Sequence, residues 1–373
     1  MENQNNKIGQ PSAPFSCTYT PSFAELLLQL NCSLAVSTYQ AGKLIILSPK
    51  NSDQLIQLPR TFPRVMGIAL EGDEMAVATK DEVIYMRNSE PLAWHYPKSP
   101  GVYDAMFVPR ATYYTSHLDI HDLEFGNGEI YGVNTSFSTI VKIDKNYNFT
   151  PIWQPPFISE LASEDRCHLN GMAMKDGKPK YATAFNKGNT AHSWKETLGE
   201  KGVLIDIDTN EIIVEGLEMP HSPRLFGDDL LVLQSRSGAI SKVDTKTGQL
   251  TDIRRLNYFV RGMDKVGDYL FVGFSRIRKN SSIFGKLDIG DHSPNAGVAI
   301  IHLPTGAQVA ELKYLSSVEE IYDLKIIKGF KRPNVLNTIR PDFKLGLSIP
   351  ETTFWAPIEA FNQLEKEDNE RMK

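Results

Sequence analysis

The chain has little of what would tie it to a disulfide scaffold, a membrane or a nucleic acid. Its three cysteines, Cys17, Cys32 and Cys167, are too few and too scattered for a disulfide framework, and they fit a reducing compartment. Apolar runs such as Leu44–Leu47 fall far short of the ~20 residues that a membrane-spanning helix needs. The opening MENQNNKIGQ lacks the basic and apolar regions of a secretory signal, so the expected location is cytoplasmic. A net charge of −5 gives no sign of a surface for nucleic acid or an anionic membrane. No dinucleotide fingerprint, phosphate-binding loop or His-Glu-x-x-His helix occurs. The absence of any Trp-Asp dipeptide argues against a WD40 array.

What the chain does have is one pattern repeated. Two apolar strands around a Gly/Asp/Asn/Lys turn recur as MGIALEGDEMAVAT (from Met66), HDLEFGNGEIYGVNT (from His121) and NGMAMKDGKPKYATAF (from Asn170). They recur again as SPRLFGDDLLVLQS (from Ser222) and RGMDKVGDYLFVGFS (from Arg261), and YDLKIIKG (from Tyr322) begins a sixth copy. Gly67, Asp122, Gly171, Pro223, Gly262 and Asp323 mark one equivalent position in each. About fifty residues separate the copies, a spacing that means a propeller or a solenoid. Each interval holds four strand-like runs; in the second copy these are His121–Phe125, Glu129–Asn134, Thr139–Ile143 and Phe149–Trp153. Four antiparallel strands per repeat make a propeller blade.

The sixth copy has only its inner strand, Tyr322–Ile327. Three unassigned strands stand at the other end, at Ser33–Thr38, Lys43–Leu47 and Gln54–Leu58. The expected fold is therefore all-β, a six-bladed β-propeller of four antiparallel strands per blade. Its last blade is closed by one C-terminal and three N-terminal strands, which hides the sheet edges. The division that follows is an N-terminal tail with a short helix (1–32), the propeller (33–327) and a C-terminal extension with a terminal helix (328–373). Phe23–Leu30, behind Ser22, and Pro357–Lys373 read as the two helices.

Within a blade, strands a to d run from channel to rim. The d-to-a and b-to-c connections share one face, and the tight a-to-b and c-to-d turns share the other. Pro97–Ser116, Gln154–Arg166, Asn186–Lys201 and Arg276–Ala296 are the long connections and are expected on the first face, where long ordered loops usually carry function. Tyr113 and Tyr114 in the first of them suit an aromatic binding wall.

Side chains alternate along a strand, so one parity of each inner strand faces the channel. At the two channel-facing positions before the markers stand Arg64/Met66, Asp119/His121, His168/Asn170, Pro220/Ser222, Phe259/Arg261 and Glu320/Tyr322. The intervening parity, Val65, Ile120, Leu169, His221, Val260 and Ile321, reads as blade-to-blade packing. His121, His168 and His221 come from three successive blades, and three imidazoles can hold a divalent metal, zinc or calcium. His221 is off parity and joins them only if Pro220 or Pro223 shifts the register. Asp119 and Glu320 are candidate proton-transfer groups, and Arg64 and Arg261 candidate anion stabilisers. Asn170 and Tyr322 are candidate ligand contacts, as are Gln40, Arg236 and Arg276 at or just past b-strand ends. Cys167 reads as a packing residue, Glu164-Asp165-Arg166 as turn and ion-pair chemistry, and Ser222 lacks a readable triad.

The segments STYQAGKL (from Ser37), EDRCHLNG (from Glu164), MPHSPR (from Met219), EIYD (from Glu320) and Tyr103–Leu123 resemble an uncharacterised, mostly bacterial family of conserved hypothetical propeller proteins. Phe185-Asn186 departs from that pattern, which has a Leu-Gly-like pair there. At the level of fold the chain is similar to gluconolactonase-like and strictosidine synthase-like propellers and to peptidyl-hydroxyglycine lyases, whose channel histidines most resemble this triplet. These resemblances and the polar channel lead to one leading expectation, a metal-assisted hydrolase or lyase acting on a small molecule or modified peptide. The other expectation is a non-catalytic module that grips a peptide or protein partner with its loop-rich face.

Overall fold

The computed structural model describes residues 13–197, 199–277 and 293–371. Six antiparallel sheets form a six-bladed β-propeller. The inner strands, in blades 1 to 6, are Ile68–Glu71, Ile120–Gly126, Leu169–Lys175, Pro220–Phe226, Phe259–Val266 and Asp323–Lys328. Blade 6 closes as the sequence predicts. Its inner strand pairs with Cys32–Thr38, which is followed outward by Lys43–Pro49 and Leu55–Thr61. Val65, Ile120, Leu169, His221, Val260 and Ile321 are all buried, as blade-to-blade packing positions should be.

The chain ends cover the outer edges. Cys17–Tyr19 adds a fifth strand to blade 5, and Pro333–Val335 adds one, in parallel, to blade 1. Both therefore occupy edges that would otherwise be open to pairing. Helix α1 (Pro21–Gln29) starts earlier than expected because Pro21 takes the first turn, where its missing N–H costs nothing. It buries Phe23, Ala24, Leu26 and Leu27.

Blade 1 departs from the expected loop plan. Its strand c (Glu82–Asn88) is followed by an insert that carries the short helix α2 (Glu90–Trp94), and only then by strand d (Ala105–Tyr114). Pro97–Ser116 is thus the end of a c-to-d insert plus an outer strand, not a loop on the channel-mouth face. Tyr113 and Tyr114 pair with Val83 and Glu82, three strands out from the channel, and do not form its wall. The connections after Trp153 and after Ala184 do lie on the expected face. Of Arg276–Ala296, residues 278–292 lie outside the described residues. The C-terminal helix α3 (Ile358–Arg371) seats Phe361 against Tyr96 and Trp355, beside the hairpin Gly346–Ile349/Thr352–Trp355.

The markers explain how the inner strands meet. Around the ring they alternate between glycine and a residue with a side chain. A Cβ on Gly67 would lie 2.9 Å from the Asp122 carbonyl carbon, and one on Gly262 would lie 2.8 Å from the Asp323 Cα. Neighbouring strands thus approach closely because every second blade gives up its side chain. The other blades supply a buried ionic plug. Arg224 of blade 4 makes two hydrogen bonds of 2.7 and 2.8 Å to the Asp122 carboxylate of blade 2. It also stands 3.4 Å from Glu124 and 3.8 Å from Asp323 of blade 6. Lys325 of blade 6 completes the group at 2.5 Å from Glu124. Asp122 accepts from the Met172 N–H and Asp323 from the Ile68 N–H, so each stitches one blade to the next.

Candidate functional site at the channel mouth

Strict alternation breaks where the inner strands begin. Arg64, Asp119 and His168 occupy the same position in blades 1 to 3, and all three have φ near +50°. That left-handed conformation is uncommon for residues other than glycine, although Asp and His tolerate it better than most. Each turns the chain by one residue, so equal parity no longer means equal direction. Blade 4 shifts as well. Ser222 has φ +48°, and the pairing register slips between His221 and Arg224, as His221 requires.

These turns gather aromatic and imidazole rings. His121 and His168 meet edge to face with centroids 4.9 Å apart. His168 lies 4.2 Å from Trp194 and 4.5 Å from Phe185, and Phe185 in turn lies 5.1 Å from His221. The triplet expected to hold a metal is therefore divided, with Phe185 between His168 and His221. Among the described residues no group of three His, Cys, Asp or Glu side chains is placed to hold a metal ion. Phe185, with Asn186, stands where the chain departs from the pattern it resembles. Its bulk is the physical reason the donor set does not fit a three-histidine centre.

Hydrogen bonds fix the tautomer of each ring. His121 Nδ1 lies 2.9 Å from the Asp119 carbonyl, to which it can only donate. His168 Nδ1 donates to Asp165, 3.1 Å from both carboxylate oxygens. The Ser235 hydroxyl gives its proton to the Val260 carbonyl at 2.6 Å, so His221 Nδ1 must donate to Ser235 Oγ, also at 2.6 Å. In its neutral form each of the three rings thus carries its acceptor at Nε2. Burial holds His121 well below the ordinary imidazole range, helped by His168 and Arg261. Burial does the same for His221, followed by the Arg261 charge. Both are neutral at physiological pH.

Beside these rings lies a cavity of about 140 Å³. Six residues singled out from the sequence line it: Gln40, His168, His221, Arg261, Arg276 and Glu320. Phe185, Phe259 and Ile277 supply its apolar wall. Arg261 sits 3.6 Å from Glu320, and its guanidinium lies 3.4 Å above the centre of the Tyr322 ring. Arg276 pairs with Glu319 at 3.5 Å.

The remaining expected residues lie elsewhere. Arg64 and Asp119 are exposed, Arg64 over the Tyr39 ring at 5.7 Å and Asp119 engaged through its carbonyl. Arg236 is 3.5 Å from Glu200 and outside the cavity. Asn170 is buried and accepts from Thr183. Cys167 is wholly buried, and burial pushes its thiol up to about 12, which suits a packing residue and no nucleophile.

Two loop residues that sequence reasoning missed complete the site. Asp165 orients His168, and Trp194 fixes Asp165 by donating its indole N–H at 2.8 Å. Arg166 and Glu164 play the ion-pair role expected of that segment, with Arg166 2.8 Å from Glu164 and 2.6 Å from Glu160. A larger hollow of about 930 Å³ lies between the blade 1 insert and the C-terminal hairpin. Its walls include His95, and among the described residues no carboxylate stands within ion-pair distance of that imidazole.

Comparison with known proteins adds the fold and the family. None of the curated proteins matches the chain. A crystal structure of a protein of unknown function from Bacteroides caccae is 10% identical, with a TM-score of 0.50 over 80% of this chain and 99% of that one. A chain of a nidogen/laminin complex is 11% identical, with a TM-score of 0.48 over 80% and 99%. At such identity the first likeness extends to the fold alone, and the second carries no argument. Among the described residues no helix is long and apolar enough to cross a membrane. Residues 21–336 match the model of a family described as a domain of unknown function (DUF4915), and the chain belongs to that family.

Proposed function

We propose that the chain is a cytoplasmic enzyme of the hydrolase or lyase class that works on a small molecule by acid–base chemistry at the channel mouth. One observation carries this reading. His168 lines the cavity and is oriented by a carboxylate that is itself held by Trp194, and among the described residues its Nε2 has no hydrogen-bond partner. A base so arranged takes a proton at Nε2 while Asp165 steadies the imidazolium that forms. Glu320 is the second proton-transfer group in the cavity. No step is routed through a metal, because Phe185 splits the donor set. The peptide-gripping alternative loses its aromatic wall, since Tyr113 and Tyr114 lie on an outer strand.

The test is a panel of small esters, lactones and hydroxy acids, with turnover followed by proton release or product formation. His168→Gln is expected to remove turnover, and Asp165→Asn to reduce it by at least a hundredfold, the range of a positioned base. Nitrogen-15 spectra of the wild type should place the proton of the neutral His168 ring on Nδ1. Turnover equal in wild type and His168→Gln, absence of turnover across the panel, or a neutral His168 ring with its proton on Nε2 would each overturn the reading.

A further inference from the structure

A second hollow, of about 200 Å³, lies apart from the channel mouth, and its lining shares no residue with the cavity there. Three segments far apart in sequence enclose it. They are Arg60 on the outermost strand of blade 6, the blade 1 insert from Tyr96 to Tyr103, and the C-terminal extension from Val335 to Asp342. Its walls carry three cations, Arg60, Lys98 and Arg340, against one carboxylate, Asp342. That carboxylate is already answered within the protein. It accepts from Lys98 Nζ at 3.0 and 3.1 Å and from the Tyr96 hydroxyl at 2.9 Å. The two guanidinia are not answered. Arg60 is half-buried and bonds neutral acceptors, the Asn334 side-chain oxygen at 2.7 Å and the Val335 carbonyl at 3.0 Å. Those bonds come from Nε and Nη2, hold the guanidinium in place, and leave Nη1 with no partner among the described residues. Arg340 is exposed, and among the described residues no carboxylate stands within ion-pair distance of either arginine.

We propose that this hollow binds a phosphate dianion, either free or as the head of a small phosphomonoester. The charge count favours a dianion. Lys98 and Asp342 neutralise each other, so the charges of Arg60 and Arg340 remain. Like charges that line one hollow repel, and an anion between them relieves the repulsion. A carboxylate would cancel only one of the two, whereas a phosphate carries up to two negative charges at neutral pH. The guanidinium fork also matches paired phosphate oxygens. The Arg60 fork is ordered before any ligand arrives, so less freedom is lost on binding. Size limits the rest of the ligand. At about 200 Å³ the hollow is below the roughly 300–1,000 Å³ of drug-sized sites.

Calorimetry at constant ionic strength, with inorganic phosphate, methyl phosphate and acetate, tests the assignment. Saturable binding of phosphate, and much weaker binding of acetate, is expected. Arg340→Gln should weaken phosphate binding about tenfold or more, the loss of one hydrogen bond between charged groups. Its fold is not at stake, because the guanidinium has no carboxylate partner to lose, and the ligand-free variant should melt with the wild type. Arg60→Lys should weaken binding to a similar degree, since a lysine keeps the charge and loses the fork. Arg261→Gln, at the channel mouth, should leave phosphate affinity unchanged. Methyl phosphate separates the two sources of the dianion. Affinity retained in the ester assigns the head of a phosphomonoester, and affinity for inorganic phosphate alone assigns the free ion. Absence of saturable binding at millimolar phosphate, equal affinity for acetate, or unchanged affinity in Arg340→Gln would overturn the proposal. So would a loss of affinity in Arg261→Gln, which would put the anion at the mouth instead.

Discussion

Replacing Asp323 by Asn should change the pH dependence of stability in a direction that few aspartate substitutions share. The ionic plug holds three carboxylates, Asp122, Glu124 and Asp323, against two cations, Arg224 and Lys325. Burial in this surplus of negative charge raises Asp323 from 3.8 to about 6, despite Lys325, Arg224 and the Ile68 N–H. The folded chain therefore binds this proton more tightly than the unfolded one. Its stabilising effect is complete below pH ~4 and is lost as pH rises through about 6. A displacement of roughly two pH units corresponds to about 3 kcal/mol. Asparagine cannot ionise, and it can keep the acceptor for Ile68. Its other effects amount to an offset that does not vary with pH. Urea unfolding of wild type and Asp323→Asn across pH 4.5 to 8.5 should show the variant gaining on the wild type by about 2 kcal/mol between the two ends. Titrating groups outside the plug cancel in the difference. A difference between the two proteins that stays constant with pH would refute the reasoning, and one that shrinks as pH rises would reverse its sign.

Gly67→Ala places a methyl 2.9 Å from the Asp122 backbone, where nothing flexible can yield. It should cost about 1–3 kcal/mol, seen as a lower melting temperature. Elemental analysis of protein purified without chelators should find no stoichiometric zinc on the three histidines. A stoichiometric metal that is lost in His168→Gln would show that Phe185 does not keep those rings apart.

The fold was legible because its signals are local and repeated. A turn between two apolar runs needs only its own residues to be recognised, and six copies average out the errors of each. Closure was legible by subtraction, since one strand at one end answered three at the other. The misreading of Pro97–Ser116 has an equally local cause. Blade 1 carries a helical insert between strands c and d, so Ala105–Tyr114 stands too far along the chain to be taken for its fourth strand. Its tyrosines then looked like loop residues.

The site was legible only as far as alternation holds. Six residues of the cavity wall were named from the sequence: His168, Arg261 and Glu320 by counting along the inner strands, His221 through a register shift, and Gln40 and Arg276 at or just past b-strand ends. Counting could not find the left-handed turns at Arg64, Asp119 and His168, which no residue type demands; only the enrichment of Asp and His in that conformation hints at two of them. Those turns decide which rings meet. Nor could it place Asp165 and Trp194, since a loop has no period from which to read a direction. The residues that orient His168 thus come from segments shaped by tertiary contact, while the scaffold that presents them comes from the repeat. Phe185 shows how the two levels join. A position just past a regular strand departed from the pattern the chain resembles, but only the surrounding rings show that its side chain stands between His168 and His221.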